Sequence, residues 1–150
     1  MSLNPNQFTL STLAGTKVSG DNVMTVEFYS ATSTDTIAPG TAVIIASTAT
    51  GLVTKVSAGA GLTAAWFGVV LTNTLTDTYA VGNKMEIAFF GTIVKMAASA
   101  AITAGSQVQF DPSTGLIATK TATNTVFGIA LENAVNSGDL IPVVVVASLV

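Results

Sequence analysis

Apolar and polar residues alternate along most of this chain in short runs that stop at Gly, Asn, Asp, Ser or Pro. Ten runs carry the pattern: VMTVEFY from Val23, GTAVIIAS from Gly40, GLVTKVS from Gly51, WFGVVLTN from Trp66, NKMEIAFFG from Asn83, GTIVKM from Gly91, SQVQFD from Ser106, GLIATKT from Gly115, VFGIALEN from Val126 and IPVVVVASLV from Ile141. Successive side chains of a strand point to opposite faces, and β-branched and aromatic residues suit a pleated surface, so each run predicts a strand. Helical periodicity is almost absent. The single stretch whose alanines support a helical turn, MAASAAITA from Met96, reads equally well as a loop. In DPSTG, Asp111 precedes a proline suited to the second position of a type I turn and Gly115 stands free at the exit, so a hairpin is expected there. Gly82 with Asn83, and Gly138 with Asp139, read as tight turns leading into strands.

The order of these elements is written twice. Ile37, Gly40 and Val43 correspond to Ile102, Gly105 and Val108; Gly51 and Leu52 to Gly115 and Leu116; Phe67, Gly68, Leu71 and Asn73 to Phe127, Gly128, Leu131 and Asn133; Gly82 to Gly138. The separation falls from 65 to 64 to 60 to 56 positions, and each step lies between strands, where insertions are tolerated. Two related multi-stranded units are therefore expected, about 37–96 and about 102–150, within one β domain spanning 37–150. Two copies are too few for a solenoid, so the predicted class is all-β, a compact barrel or sandwich of two related halves. Residues 1–36 stand outside the repeat as an extended N-terminal arm plus a first strand, Val23 to Tyr29.

Composition narrows the chemistry. The 150 residues contain no cysteine and no histidine, which removes disulfides, thiolate metal sites and the usual general base. The eight acidic residues, Asp21, Glu27, Asp35, Asp77, Glu86, Asp111, Glu132 and Asp139, form no local cluster, and DPSTG offers a calcium ion a single carboxylate. Catalysis, a metal and a cofactor are not expected. Five lysines, no arginine and a net charge of −3 leave no electrostatic footprint for a phosphate backbone, so nucleic acid is not an expected partner. No window reaches the roughly 18 uninterrupted apolar residues of a spanning helix, and MSLNPNQFTL does not have the form of a secretory signal.

The oddity is apolar character on both faces of several strands. Phe89 and Phe90 are adjacent, as are Trp66 and Phe67, and PVVVV has no polar face. One face fills the domain's interior. The other is covered either by another subunit or by other strands of the same chain. Only 9% of residues are charged, against about 25% in ordinary soluble domains, which favours a surface built for contact. Phe8 and Leu10 on the arm, Trp66, Phe89 and Phe90 are the candidates for contacts between chains. The glycines of the two FG pairs, Gly68 and Gly128, read as bulges or bends inside strands.

The succession APGTAVIIASTATGLVTKVSAG, FGVVL, VGNKMEIAFFGTIVKM, AAITAGSQVQFDPSTGLIATKT and VFGIALENAVNSGDLIPVVV resembles the structural cement, or decoration, proteins of tailed-phage capsids over about residues 37–150. The resemblance implies a non-catalytic, β-rich virion protein made in the host cytoplasm. It also implies a homotrimer on the outer capsid surface, whose partner is the major capsid protein at the places where capsid subunits meet, and it brings no catalytic residues. Other structural modules remain as alternatives: a head fibre, a tail component or an adhesin. A carbohydrate-binding module is a further alternative, for which Trp66, Tyr29 and Tyr79 are the only Trp and Tyr available as stacking platforms.

Overall fold

The computed structural model describes residues 14–46, 52–55, 65–72 and 78–146, and every regular element among them is a strand. In chain order these are β1 (Lys17–Ser19), β2 (Val23–Phe28), β3 (Thr36–Ile37), β4 (Ala42–Ile45), β5 (Leu52–Lys55), β6 (Gly68–Val70), β7 (Tyr79–Ala80), β8 (Lys84–Ala88), β9 (Ile93–Ala97), β10 (Gln107–Asp111), β11 (Leu116–Thr119), β12 (Gly128–Ala130) and β13 (Leu140–Val145). The chain is all-β. All ten runs of alternation hold a strand; β1, β3 and β7 are two or three residues long, too short for alternation to announce them. MAASAAITA forms no helix, because its backbone is engaged elsewhere: Ala98 donates to Asp139 O at 2.9 Å, and Ile102 exchanges bonds with Ala134 at 3.0 and 2.9 Å.

The strands fall into two sets with the same wiring. β2, β5, β4, β6 and β8 close into a barrel, shut by the parallel pairing of β2 with β5. β9, β13, β12, β10 and β11 follow the same order in a second sheet, and one parallel bridge, Ala98 to Ile117, brings β11 back to the end of β9. β1 adds to this sheet along the free edge of β9. The registers agree residue by residue. Val43 faces Gly68 as Val108 faces Gly128; Val69 faces Ala88 as Ile129 faces Val144; Val23 faces Ala88 as Ile93 faces Val144; Phe28 faces Val53 as Ala98 faces Ile117. Bonds outside the strands match as well: Gly40 N–H to Val70 O at 2.8 Å has its counterpart in Gly105 N–H to Ala130 O at 2.7 Å. Strand pairing groups Val23–Phe28 with the first set and Ile93–Ala97 with the second. By strand pairing, the two sets meet at the turn after β8.

The closed first barrel and the second, an open sheet curled into a barrel shape by that single bridge, each have an apolar filling. Val26, Phe28, Ile37, Val43, Val53, Val70, Tyr79, Met85 and Ile87 form the first cluster. Their counterparts, Met96, Ala98, Ile102, Val108, Ile117, Ala130, Ala134, Ile141 and Val143, all belong to the second. That second cluster does not stop at its own barrel. It runs on through Ala42, Val69 and Ala88 of the first barrel, with Val23 and Ile44 packed against it. Val23, Ala88, Val69 and Ala42 are cross-strand neighbours on β2, β8, β6 and β4, alternating with the residues that fill the first barrel. The outward wall of the first barrel is thus covered by the second, so the two-sided grease of these strands is largely hidden within one chain.

The strand glycines serve close approach. A Cβ on Gly68 would lie 2.5 Å from Ala88 O, and one on Gly128 would lie 2.5 Å from Val143 Cγ1 and 2.6 Å from Val144 O. Only a residue without a side chain lets the neighbouring strand come this near. Gly68→Ala and Gly128→Ala are each expected to destabilise the protein by about 1–3 kcal/mol, the usual cost of overpacking, read as a lower thermal midpoint in calorimetry. An unchanged midpoint would show that the walls yield freely.

Candidate interaction surface

The chain passes from the first barrel to the second through Phe89, Phe90, Gly91 and Thr92. Thr92 N–H returns to Phe89 O at 3.2 Å, and Gly91 takes φ 85°, the left-handed value that the third position of a type II turn requires. Asn22 clamps this turn: its side-chain amide donates to Phe90 O at 2.6 Å, and its backbone carbonyl accepts from Phe89 N–H at 3.0 Å and from the Thr92 hydroxyl at 3.1 Å. With its backbone held on both sides, the turn projects Phe90 outward at 54% exposure. Behind it, Phe89 lies 5.2 Å from the Phe90 ring at 71° and stacks on Phe67 at 6.2 Å and 3°. Met24, 39% exposed, shares this barrel, and so does Ile45, 56% exposed. Three aromatic rings and two aliphatic side chains in partial contact with water form a surface for apolar contact.

Trp66, the other candidate within the described residues, is only 7% exposed and meets Phe110 of the second barrel edge-on at 5.3 Å and 82°. It joins the two halves of one chain. Its indole N–H has no acceptor among the described residues. Phe8 and Leu10 lie outside the described residues. Alternation had paired Phe89 with Phe90 and Trp66 with Phe67 as opposite-facing neighbours. Only tertiary packing separates the exposed Phe90 from the buried Trp66.

A small crevice runs between the barrels, lined by Thr36, Ala38, Thr41 and Lys55 on one side and Phe110 and Pro112 on the other. Lys55 of this lining forms an ion pair with Asp35. That hydrogen bond from Lys55 holds the Asp35 carboxyl below the ordinary carboxylate value, against an opposing push from burial, with Ser30 and Thr36 N–H assisting. Asp111 is lowered by the Ser113 hydroxyl first and then by Ser113 N–H, at 2.6 and 2.8 Å, as expected of an Asp heading a tight turn. Asp139 is lowered by the N–H groups of Asn136 and Val135, each at 2.8 Å. All three carboxylates are occupied in fixing turns. Among the described residues no group of three metal-ligating side chains comes together.

Comparison with known proteins fits a surface of this kind. The profile of the phage cement proteins matches residues 30–147, most of the chain. This chain belongs to the phage cement protein family. It is a capsid-decorating structural protein, associated with the virion. Among solved structures, the head fiber gp8.5 N base of bacteriophage phi29 has a similar fold, with a TM-score of 0.51 at 14% identity, covering 85% of this chain and 96% of that one. No curated protein matches the sequence.

Two measurements test this cement protein's local structure. Phe89→Ala removes a half-buried stacked ring and is expected to lower the thermal midpoint, whereas Phe90→Ser leaves stability within about 0.5 kcal/mol, as at other exposed positions. Equal losses from both would place Phe90 in the core. The three lowered carboxylates bind fewer protons folded than unfolded. Their stabilisation is therefore complete above the ordinary value of about 3.9 and is lost as pH falls through the folded values. The thermal midpoint is expected to fall on acidification below about pH 5, and the variant carrying Asp35→Asn, Asp111→Asn and Asp139→Asn is expected to show a flatter acid limb in calorimetry across pH.

Proposed function

We propose that this cement protein acts as a homotrimer on the outer face of the assembled capsid, clamping the places where major capsid proteins meet. The observation that carries the reading is the family match over residues 30–147, taken with an apolar surface at Met24, Phe89 and Phe90 in a chain with few charges. A shell offers the same site many times, so modest contacts repeated by symmetry suffice, and the working quantity is buried area rather than a reactive group.

A second reading is favoured by one observation, the likeness in fold to a phage head fibre base that spans 96% of that chain. On this reading the two barrels are the foot of a longer projection. Density from the intact particle separates the two: a cement protein lies flat over capsid subunits, and a fibre base carries an extension outward.

The test is co-sedimentation of the purified protein with assembled shells and with free major capsid protein. Binding to shells alone, with a higher temperature of shell disruption, is the expected outcome. A protein that stays in the supernatant with shells, or that binds free subunits equally well, would overturn the clamp.

A further inference from the structure

The contact between the barrels is not reciprocal. The first barrel contributes its outward wall, the row Val23, Ala88, Val69 and Ala42, with the neighbouring Leu71, 4% exposed. The second contributes residues in register with its own filling, Val94, Phe110 and Val145, which continue the barrel interior outward to the seam. Register assigns the counterparts of both surfaces.

In the second barrel the wall row is Ile93, Val144, Ile129 and Gln107. Its three apolar members are only partly buried and stand outside the core cluster, and Leu131, the counterpart of Leu71, is 44% exposed. In the first barrel the counterparts of Val94, Phe110 and Val145 are Met24, Ile45 and Phe89, the apolar end described above. An interface made of two different surfaces has been used once inside the chain. Among the described residues one uncovered copy of each surface remains, a wall on the second barrel and an end on the first.

We infer that a second copy of this chain docks head to tail, seating the Met24, Ile45 and Phe89 end of its first barrel on the Ile129, Leu131 and Val144 wall of its neighbour. The contact repeats between chains the one that joins the barrels within a chain. Apolar surface meets apolar surface, and the partner is chosen by a shape this sequence already encodes. Heterologous contacts of this type close into rings when the rotation permits, so the inference rests on the proposed trimer for its copy number and supplies the surfaces that build it. Capsid binding does not enter.

Mass measurement by sedimentation velocity on the full chain, without capsid, tests it. The wild type sediments as a closed oligomer, while Met24→Glu and Leu131→Glu, both at exposed positions, are each monomeric with thermal midpoints close to wild type. Mixed in equal amounts, the two variants keep one intact end and one intact wall between them, so they form a species of two chains and grow no further. A wild-type monomer would remove the trimer and the surfaces together. A wild-type oligomer that survives either substitution, or a mixture that stays monomeric, would remove the surfaces and leave the trimer standing. If either glutamate variant loses its cooperative melt, the milder single variants Met24→Ser on the end and Val144→Ser on the wall read the same two surfaces, and an undiminished oligomer in both overturns the assignment.

Discussion

Val23, Ala88, Val69 and Ala42 form a row of apolar side chains on the outside of a closed barrel, and such a row stays in water only at a cost. Burying a valine side chain is worth about 1.5–3 kcal/mol relative to leaving it exposed, a large share of the 5–15 kcal/mol that holds a typical domain together. The second barrel covers this row, and Trp66 against Phe110 joins the two halves at its border. The rest of the architecture follows from that seam. β8 must hand over to β9 within four residues, which a type II turn with Gly91 and the Asn22 clamp accomplishes, and the handover leaves Phe90 facing outward.

The two sets share one wiring, and their side chains make them unequal. Phe28 and Tyr79 fill the first barrel where Ala98 and Ala134 stand in the second, while at the second barrel's seam end Phe110 stands where the first has Ile45. Large side chains have moved toward the contact in one copy and away from it in the other. On the wall, Ala42 and Ile44 give way to Gln107 and Gln109. Gln109 does not leave its amide idle: its oxygen accepts from Thr121 N–H and Asn124 Nδ2, both at 2.9 Å, which ties down the segment after β11. The second wall is consequently more polar than the first.

For a decoration protein these properties carry the function. The acidic groups with displaced titration sit in turns, held by hydroxyls, backbone N–H groups or Lys55, and so act as braces. Low charge and short polar side chains keep the desolvation of the surface inexpensive, so that area against a neighbour converts into holding force without specific ion pairs to be stripped of water.

Much of this was legible in the sequence because its signals are local. Period-two alternation located ten strands, the double phrase from Ile37 and Ile102 exposed the duplication, and the missing histidine, cysteine and arginine narrowed the chemistry. Sequence could not say which cover each apolar face receives, since alternation records that a side chain leaves the backbone on a given side and not what lies there. Trp66 and Phe90 look alike as large apolar residues beside a second aromatic, yet one is sealed between barrels and the other stands in water. Nor could matching letters assign β2 and β9 to their units, for Val23 and Ile93 share a register fixed only by hydrogen bonds to Ala88 and Val144. Composition and spacing determined the kind of element, because those depend on neighbours in the chain; the seam and the surfaces left over depend on residues brought together across it, and only the folded structure decided them.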